Sequence, residues 1–147
     1  MKVRRKYLKS QKGFSLMEIL IVITLIALAG TFVVNQLLAR LDEGNINGAK
    51  IQMNAFKQLL EDYRRYCNQY PATEQGLEAL ISKPSLAPEC KNYPASGFIQ
   101  GGKVPADPWG NSYLYESDGT KYTVTSLGSD GAEGGEGSKA DIKSTDI

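Results

Sequence analysis

The chain has 147 residues with 17 Lys/Arg, 16 Asp/Glu and no histidine, for a formal net charge of +1. Without an imidazole there is no Ser-His-Asp triad, no Cys-His pair and no HExxH zinc site, and no grouping of the remaining carboxylates and lysines suggests catalysis, so a non-enzymatic role is expected. Lys2, Arg4, Arg5, Lys6, Lys9 and Lys12 crowd the first thirteen residues; without them eleven cations face sixteen acids, about −5, which gives no electrostatic reason to expect nucleic acid as a partner.

From Phe14 to Val34 the chain is almost entirely apolar, a length that just spans a lipid bilayer as a helix. The preceding basic block orients it by the positive-inside rule, with the start in the cytoplasm and the remainder outside. Glu18 is the exception inside "KGFSLMEILIVITLIALAG", residues 12–30. An ionised side chain at mid-bilayer costs about 2.5–3.5 kcal/mol on insertion scales. A plain signal anchor would hold Glu18 near the interface. A secretory signal would be cut after Ala29 in "ALAG", which gives Glu18 no role and discards residues that continue a helical pattern.

Helical spacing continues beyond the apolar run. Ala49, Met53, Phe56, Leu60, Tyr63 and Cys67 recur at intervals of four and three, an apolar stripe expected to pack on a sheet of the same chain. Leu37, Leu38 and Leu41 precede it and are expected to pack between subunits. One helix from Phe14 to about Tyr70 is predicted, with Gly44 and Gly48 in "DEGNINGAK" as candidate hinge points, since each glycine costs about 1 kcal/mol in a helix interior.

Tyr70-Pro71 ends that helix. Thr73 is predicted to cap a short helix over roughly residues 74–81, and a proline- and glycine-rich irregular stretch follows. "NSYLYESDGTKYTVTSL" reads as a hairpin, with Tyr113 and Tyr115 alternating on one strand, Tyr122 and Val124 on the other, and a turn at Asp118-Gly119. A long helix on a small antiparallel sheet is an α+β layout. The two cysteines, Cys67 and Cys90, are too few for a Cys-only zinc site. They form a disulfide if this part lies outside the cytoplasm, stabilising the fold by about 3 kcal/mol, and are otherwise two separate buried thiols. The segment "SLGSDGAEGGEGSKADI" is rich in glycine and acid, and reads either as a disordered acidic tail or as a loop of oxygen ligands for calcium. It lacks the alternating acids and terminal glutamate of an EF-hand.

The basic leader, Gly13, Phe14 and Glu18 together resemble the class III leader of type IV pilins and pseudopilins. That resemblance implies cleavage after Gly13 by a prepilin peptidase, N-methylation of the new terminal Phe14, and pairing of the Glu18 carboxylate with the Phe14 ammonium of a neighbouring subunit. "YPATEQGLEAL", "PADPWGNSYLYES" and "SLGSDGAEGGEGSKADI" resemble more narrowly the major pseudopilins of type II secretion systems. The implied organisation is a leader at 1–13 that is removed, a transmembrane helix segment at 14–34, its periplasmic continuation at 35–70, and a small pilin-like α+β domain at 71–147.

The resemblance also implies structural calcium in the last loop. By position its ligands are the Leu127 and Ala132 carbonyls and the Asp130 and Asp141 carboxylates, with Ser138 adding a hydroxyl or carbonyl. Lys139 departs from the family, as it stands where many members carry another acid. So does Lys143-Ser144-Thr145, where most continue Gly-Asn-Trp, and so does the cysteine pair, which most major pseudopilins lack. Asn35 replaces a proline near which the family's helix partly unwinds in filaments.

The expected function is that of a structural subunit. It would be anchored once in the bacterial inner membrane and polymerise into a helical homopolymer, the periplasmic pseudopilus, that drives folded proteins across the outer membrane. Its expected partners are further copies of itself, minor pseudopilins, the inner-membrane assembly platform with its ATPase, the prepilin peptidase and the lipid bilayer. The alternative is a type IV pilin of an adhesive, motility or DNA-uptake pilus, although such pilins usually carry a C-terminal disulfide loop. A minor tip pseudopilin often lacks the residue corresponding to Glu18.

Overall fold

The computed structural model describes residues 13–147, so the cationic block at 2–12 lies outside the described residues. Helix α1 (Leu16–Cys67) contains 52 residues. It opens on the Ser-x-x-Glu pattern of a capping box: Ser15 precedes the first turn, and the Ser15 amide donates to Glu18 Oε2 at 3.4 Å. Within the apolar half, the Thr24 hydroxyl donates to the Leu20 carbonyl and the Thr31 hydroxyl to the Leu28 carbonyl, so both are satisfied inside the helix. That matters in lipid, where no water is present to take their place. The large apolar side chains described over this half, from Leu16 to Leu41, are exposed.

From Ala49 onward the helix has one buried face. Ala49, Met53, Phe56, Leu60, Tyr63 and Cys67 are each at most 9% exposed, so the predicted stripe is the spine of the core. The helix runs without interruption through Gly44 and Gly48. Gly48 has a packing reason of its own, because a Cβ there would lie 3.2 Å from Pro108 Cγ, close enough to push on that ring. Termination comes at Asn68, which is left-handed with φ 62°. Its amide donates to the Arg64 carbonyl at 2.7 Å, and Pro71 follows. Asparagine tolerates this conformation better than other residues with a Cβ.

The predicted 74–81 helix is a single 3-10 turn, Leu77–Leu80, and Thr73 does not cap it. The Thr73 hydroxyl is engaged elsewhere, donating to the Ser117 carbonyl and accepting from the Ser117 amide, both at 2.9 Å. It thereby closes the outer edge of the first strand.

Strands β1 (Leu114–Ser117) and β2 (Tyr122–Ser126) form the predicted hairpin in the register Tyr115↔Val124 and Ser117↔Tyr122. In its turn the Asp118 carboxylate accepts from the Lys121 and Thr120 amides and the Thr120 hydroxyl, which lowers its pKa to about 2. A two-residue strand, β3 (Ile142–Lys143), adds antiparallel to β2 and completes the order β1-β2-β3.

The core lies between the lower half of α1 and this sheet. Phe56 meets Tyr113 edge-on at 5.2 Å, and the Tyr115 hydroxyl donates to the Pro71 carbonyl at 2.9 Å. Burial raises the pKa of both tyrosines, so they act as neutral donors. Cys67 and Cys90 are bonded with Cα atoms 4.7 Å apart. The bond ties the last residue of α1 to the irregular 82–112 stretch, beside edge-packed rings of Tyr63, Tyr93 and Phe98.

Candidate assembly and metal sites

The two ends of the described chain present different chemistry. At the start, Phe14 is 77% exposed and Glu18 lies in the first turn of α1. That position suits an acid, because the unpaired amides of a helix N-terminus carry partial positive charge. The Ser15 amide is the one hydrogen-bond donor to Glu18 among the described residues, at the long distance of 3.4 Å. Glu18 is therefore held in place by the helix start, and no salt bridge to it is found among the described residues. Around it, Leu16, Ile19, Leu20 and Ile23 are all about half or more exposed. This half of the helix is long and apolar enough to cross a membrane.

The loop from 127 to 141 is folded back on itself. The Ser129 amide donates to the Ser138 carbonyl at 2.9 Å, and Asp141 is tied to Gly134 in both directions, amide to carbonyl at 3.2 Å and Gly134 amide to Asp141 Oδ2 at 3.0 Å. Gly128 is left-handed with φ 63°, and a Cβ there would lie 2.8 Å from the Ser138 carbonyl oxygen. The turn that follows Leu127 is thus pressed against Ser138 and Lys139. Of the five predicted ligands, Leu127 and Ser138 lie at this close approach, while Asp141 is tied to Gly134. Asp130 and Ala132 share a turn, with the Ala132 amide donating to Asp130 Oδ1 at 3.2 Å. No hydrogen bond among the described residues joins that turn to Ser138 or Asp141.

The donor set fits a hard cation. Asp141 Oδ1 is buried without a hydrogen-bond partner, a costly state for a carboxylate oxygen unless a positive ion meets it. The Leu127 and Ala132 carbonyls accept no backbone hydrogen bond among the described residues. No group of three or more His, Cys, Asp or Glu side chains converges among them either. Ligation here would rest largely on backbone carbonyls, as calcium accepts and softer transition metals do not favour. Leu127, Asp130, Ala132, Ser138 and Asp141 are the residues that would hold the ion.

Sequence reasoning missed the anchorage of this loop. Asp107 is 5% exposed, and its Oδ1 accepts from the Trp109 amide at 3.1 Å and the Asn111 amide at 2.7 Å. Its Oδ2 accepts from the fully buried Ser126 hydroxyl at 2.6 Å. The signal was the Asp-Pro-x-Gly turn, in which an aspartate commonly binds the amide two residues on.

Comparison with known proteins bears on the family and the fold. The family model described as type II secretion system (T2SS), protein G matches residues 36–145, and the prokaryotic N-terminal methylation motif matches residues 8–34. The type II secretion system core protein G of Pseudomonas aeruginosa is 40% identical over 140 residues, covering 94% of this chain and 97% of the relative. That of Vibrio cholerae is 40% identical, covering 97% of each. A crystal structure of the major pseudopilin from the type 2 secretion system of enterohaemorrhagic Escherichia coli is similar, with a TM-score of 0.65 and 34% identity over 76% of this chain and 95% of that one. A methylation-type N-terminus, one long helix on a three-stranded antiparallel sheet and these matches along nearly the whole chain place it in the type II secretion system protein G family.

Proposed function

We propose that the chain is cut after Gly13, methylated on Phe14, and polymerised into a periplasmic pseudopilus whose growth pushes folded proteins through an outer-membrane channel. The observation that carries this reading is an exposed apolar helix with one acid in its first turn, inside the stretch that matches the N-terminal methylation motif. A solitary carboxylate in lipid keeps its desolvation penalty, while one that meets a cation from the next subunit is relieved of it. Cleavage creates such a cation on Phe14. The upper half of α1 would span the inner membrane once with the leader in the cytoplasm, and residues 35–147 would lie in the periplasm. The contacts are head-to-tail and do not close, so they build a filament.

The chain performs no chemistry in this scheme; it is the substrate of the prepilin peptidase. Minor pseudopilins, the inner-membrane platform and its ATPase are its working partners. A strain lacking the gene should retain folded exoproteins in its periplasm and keep its surface pili. Normal export with lost surface pili would favour the type IV pilus reading.

Calcium bound by Asp141, Leu127, Ser138, Asp130 and Ala132 would supply positive charge that neutralises the loop's acids and pins it to the sheet. At a calcium concentration of about 100 times the Kd, binding adds about 2.7 kcal/mol of stability. Chelation should therefore lower the melting temperature by roughly 10 °C. Asp141→Asn should lack that response, and an Asp141→Asn protein as chelator-sensitive as the parent would place the ion elsewhere.

A further inference from the structure

We infer that the Asp107–Ser126–Asn111 group, with Asp107 and Ser126 buried, is the positioning element of the cation loop and determines its affinity for calcium; this rests on the calcium reading above. Both backbone groups of Gly128 are held by this group. The Gly128 amide donates to Ser126 Oγ at 3.3 Å, and the Gly128 carbonyl accepts from Asn111 Nδ2 at 2.9 Å. Ser126 Oγ is in turn fixed by Asp107 Oδ2 at 2.6 Å.

The Gly128 amide belongs to the same planar unit as the Leu127 carbonyl, and in a trans peptide the two point in opposite directions. Drawing the amide inward to Ser126 therefore turns the Leu127 oxygen the other way, and it cannot rotate without releasing the amide. On the far side of the turn, Gly131 is left-handed with φ 65° and lies against the same side chain, a Cβ there being 3.2 Å from Asn111 Oδ1. The hub itself cannot shift easily. The Asp107 amide donates to the Asn111 carbonyl at 2.8 Å, and Pro108 lies against α1 at Gly48.

A neutral carbonyl contributes more to cation binding when it is already aimed, because turning it on binding costs ordering entropy. Outer groups that orient metal ligands are typically worth 10–100-fold in affinity. This arrangement also accounts for "DPWGN" and "SLGSDG" occurring together, since Asp107 and Asn111 lie in one and Ser126 and Gly128 in the other.

The test is calorimetric titration of the full-length protein in detergent with calcium chloride. It compares the parent with Ser126→Ala, which cuts the tether and leaves the Asp107 turn, and with Asn111→Ala, which removes the second tether from a half-buried position. Leu80→Val, a core change remote from the loop, serves as the control for general destabilisation. Weakening of calcium binding by about 10-fold or more in the tether variants, with Leu80→Val unchanged, is the expected result. Should Ser126→Ala fail to fold, the Asn111→Ala titration decides. Tether variants that melt earlier in chelator but bind calcium like the parent would overturn the inference and leave the hub a purely structural feature. A parent that binds no calcium would remove the reading on which the inference rests.

Discussion

Replacing Glu18 by glutamine should give a chain that is inserted in the membrane and cut after Gly13 but builds no filament. Glutamine is as good as glutamate in a capping box, so the bond from the Ser15 amide and the start of α1 survive the change. What disappears is the charge. If the carboxylate serves chiefly to start the helix, Glu18→Gln assembles normally and Glu18→Ala weakens the first turn by about 1 kcal/mol. If it serves to receive the next subunit's ammonium, both variants fail alike. Each failed contact then leaves one ammonium unpaired in lipid, a penalty of order 3 kcal/mol per subunit. Repeated at every step of growth, that stops a polymer. Filament yield in cells over-expressing the variants, measured against processed monomer in the membrane fraction, separates the two outcomes.

Converting both cysteines to serine should lower stability by about 3 kcal/mol, a drop in melting temperature of roughly 10–20 °C. The expected effect is large because of where the bond lies. Cys67 is the last residue of α1 and Cys90 is buried in the irregular segment that separates the helix from the hairpin. That segment has no strand or α-helix of its own, so its order depends on the bond and on Tyr93 and Phe98 packing against Tyr63. Thermal melts of the two forms, with and without reductant, should agree: reduced parent and double-serine variant melt together, well below the oxidised parent. A double-serine variant within about 2 °C of the parent would show that the aromatic packing suffices.

The buried stripe of α1 was legible because a helix repeats its inward face every three to four residues, and Met53, Phe56, Leu60 and Tyr63 keep that spacing. The hairpin was legible from alternation and from Asp118-Gly119. Other features depend on residues far apart in the chain. Gly48 looks like a weak point in a helix and is in fact the seat of Pro108, sixty positions on. Thr73 has the local marks of a cap, yet its hydroxyl is taken by Ser117, 44 residues away. Strand β3 is two residues long and so shows no alternation to read. The 127–141 loop was legible as a collection of oxygens, whereas its anchor, the Asp107–Ser126 bond, appears only once 19 residues of separation have been folded away.

Every step of the assembly scheme needs a free, charged phenylalanine at the start of α1, and intact-mass and terminal-peptide mass spectrometry of the membrane-extracted protein tests for it directly. The account predicts a single N-terminus at Phe14 carrying one added methyl group. A mature chain that begins at Gly30, or one that keeps its basic leader in a strain with active pseudopili, would contradict it.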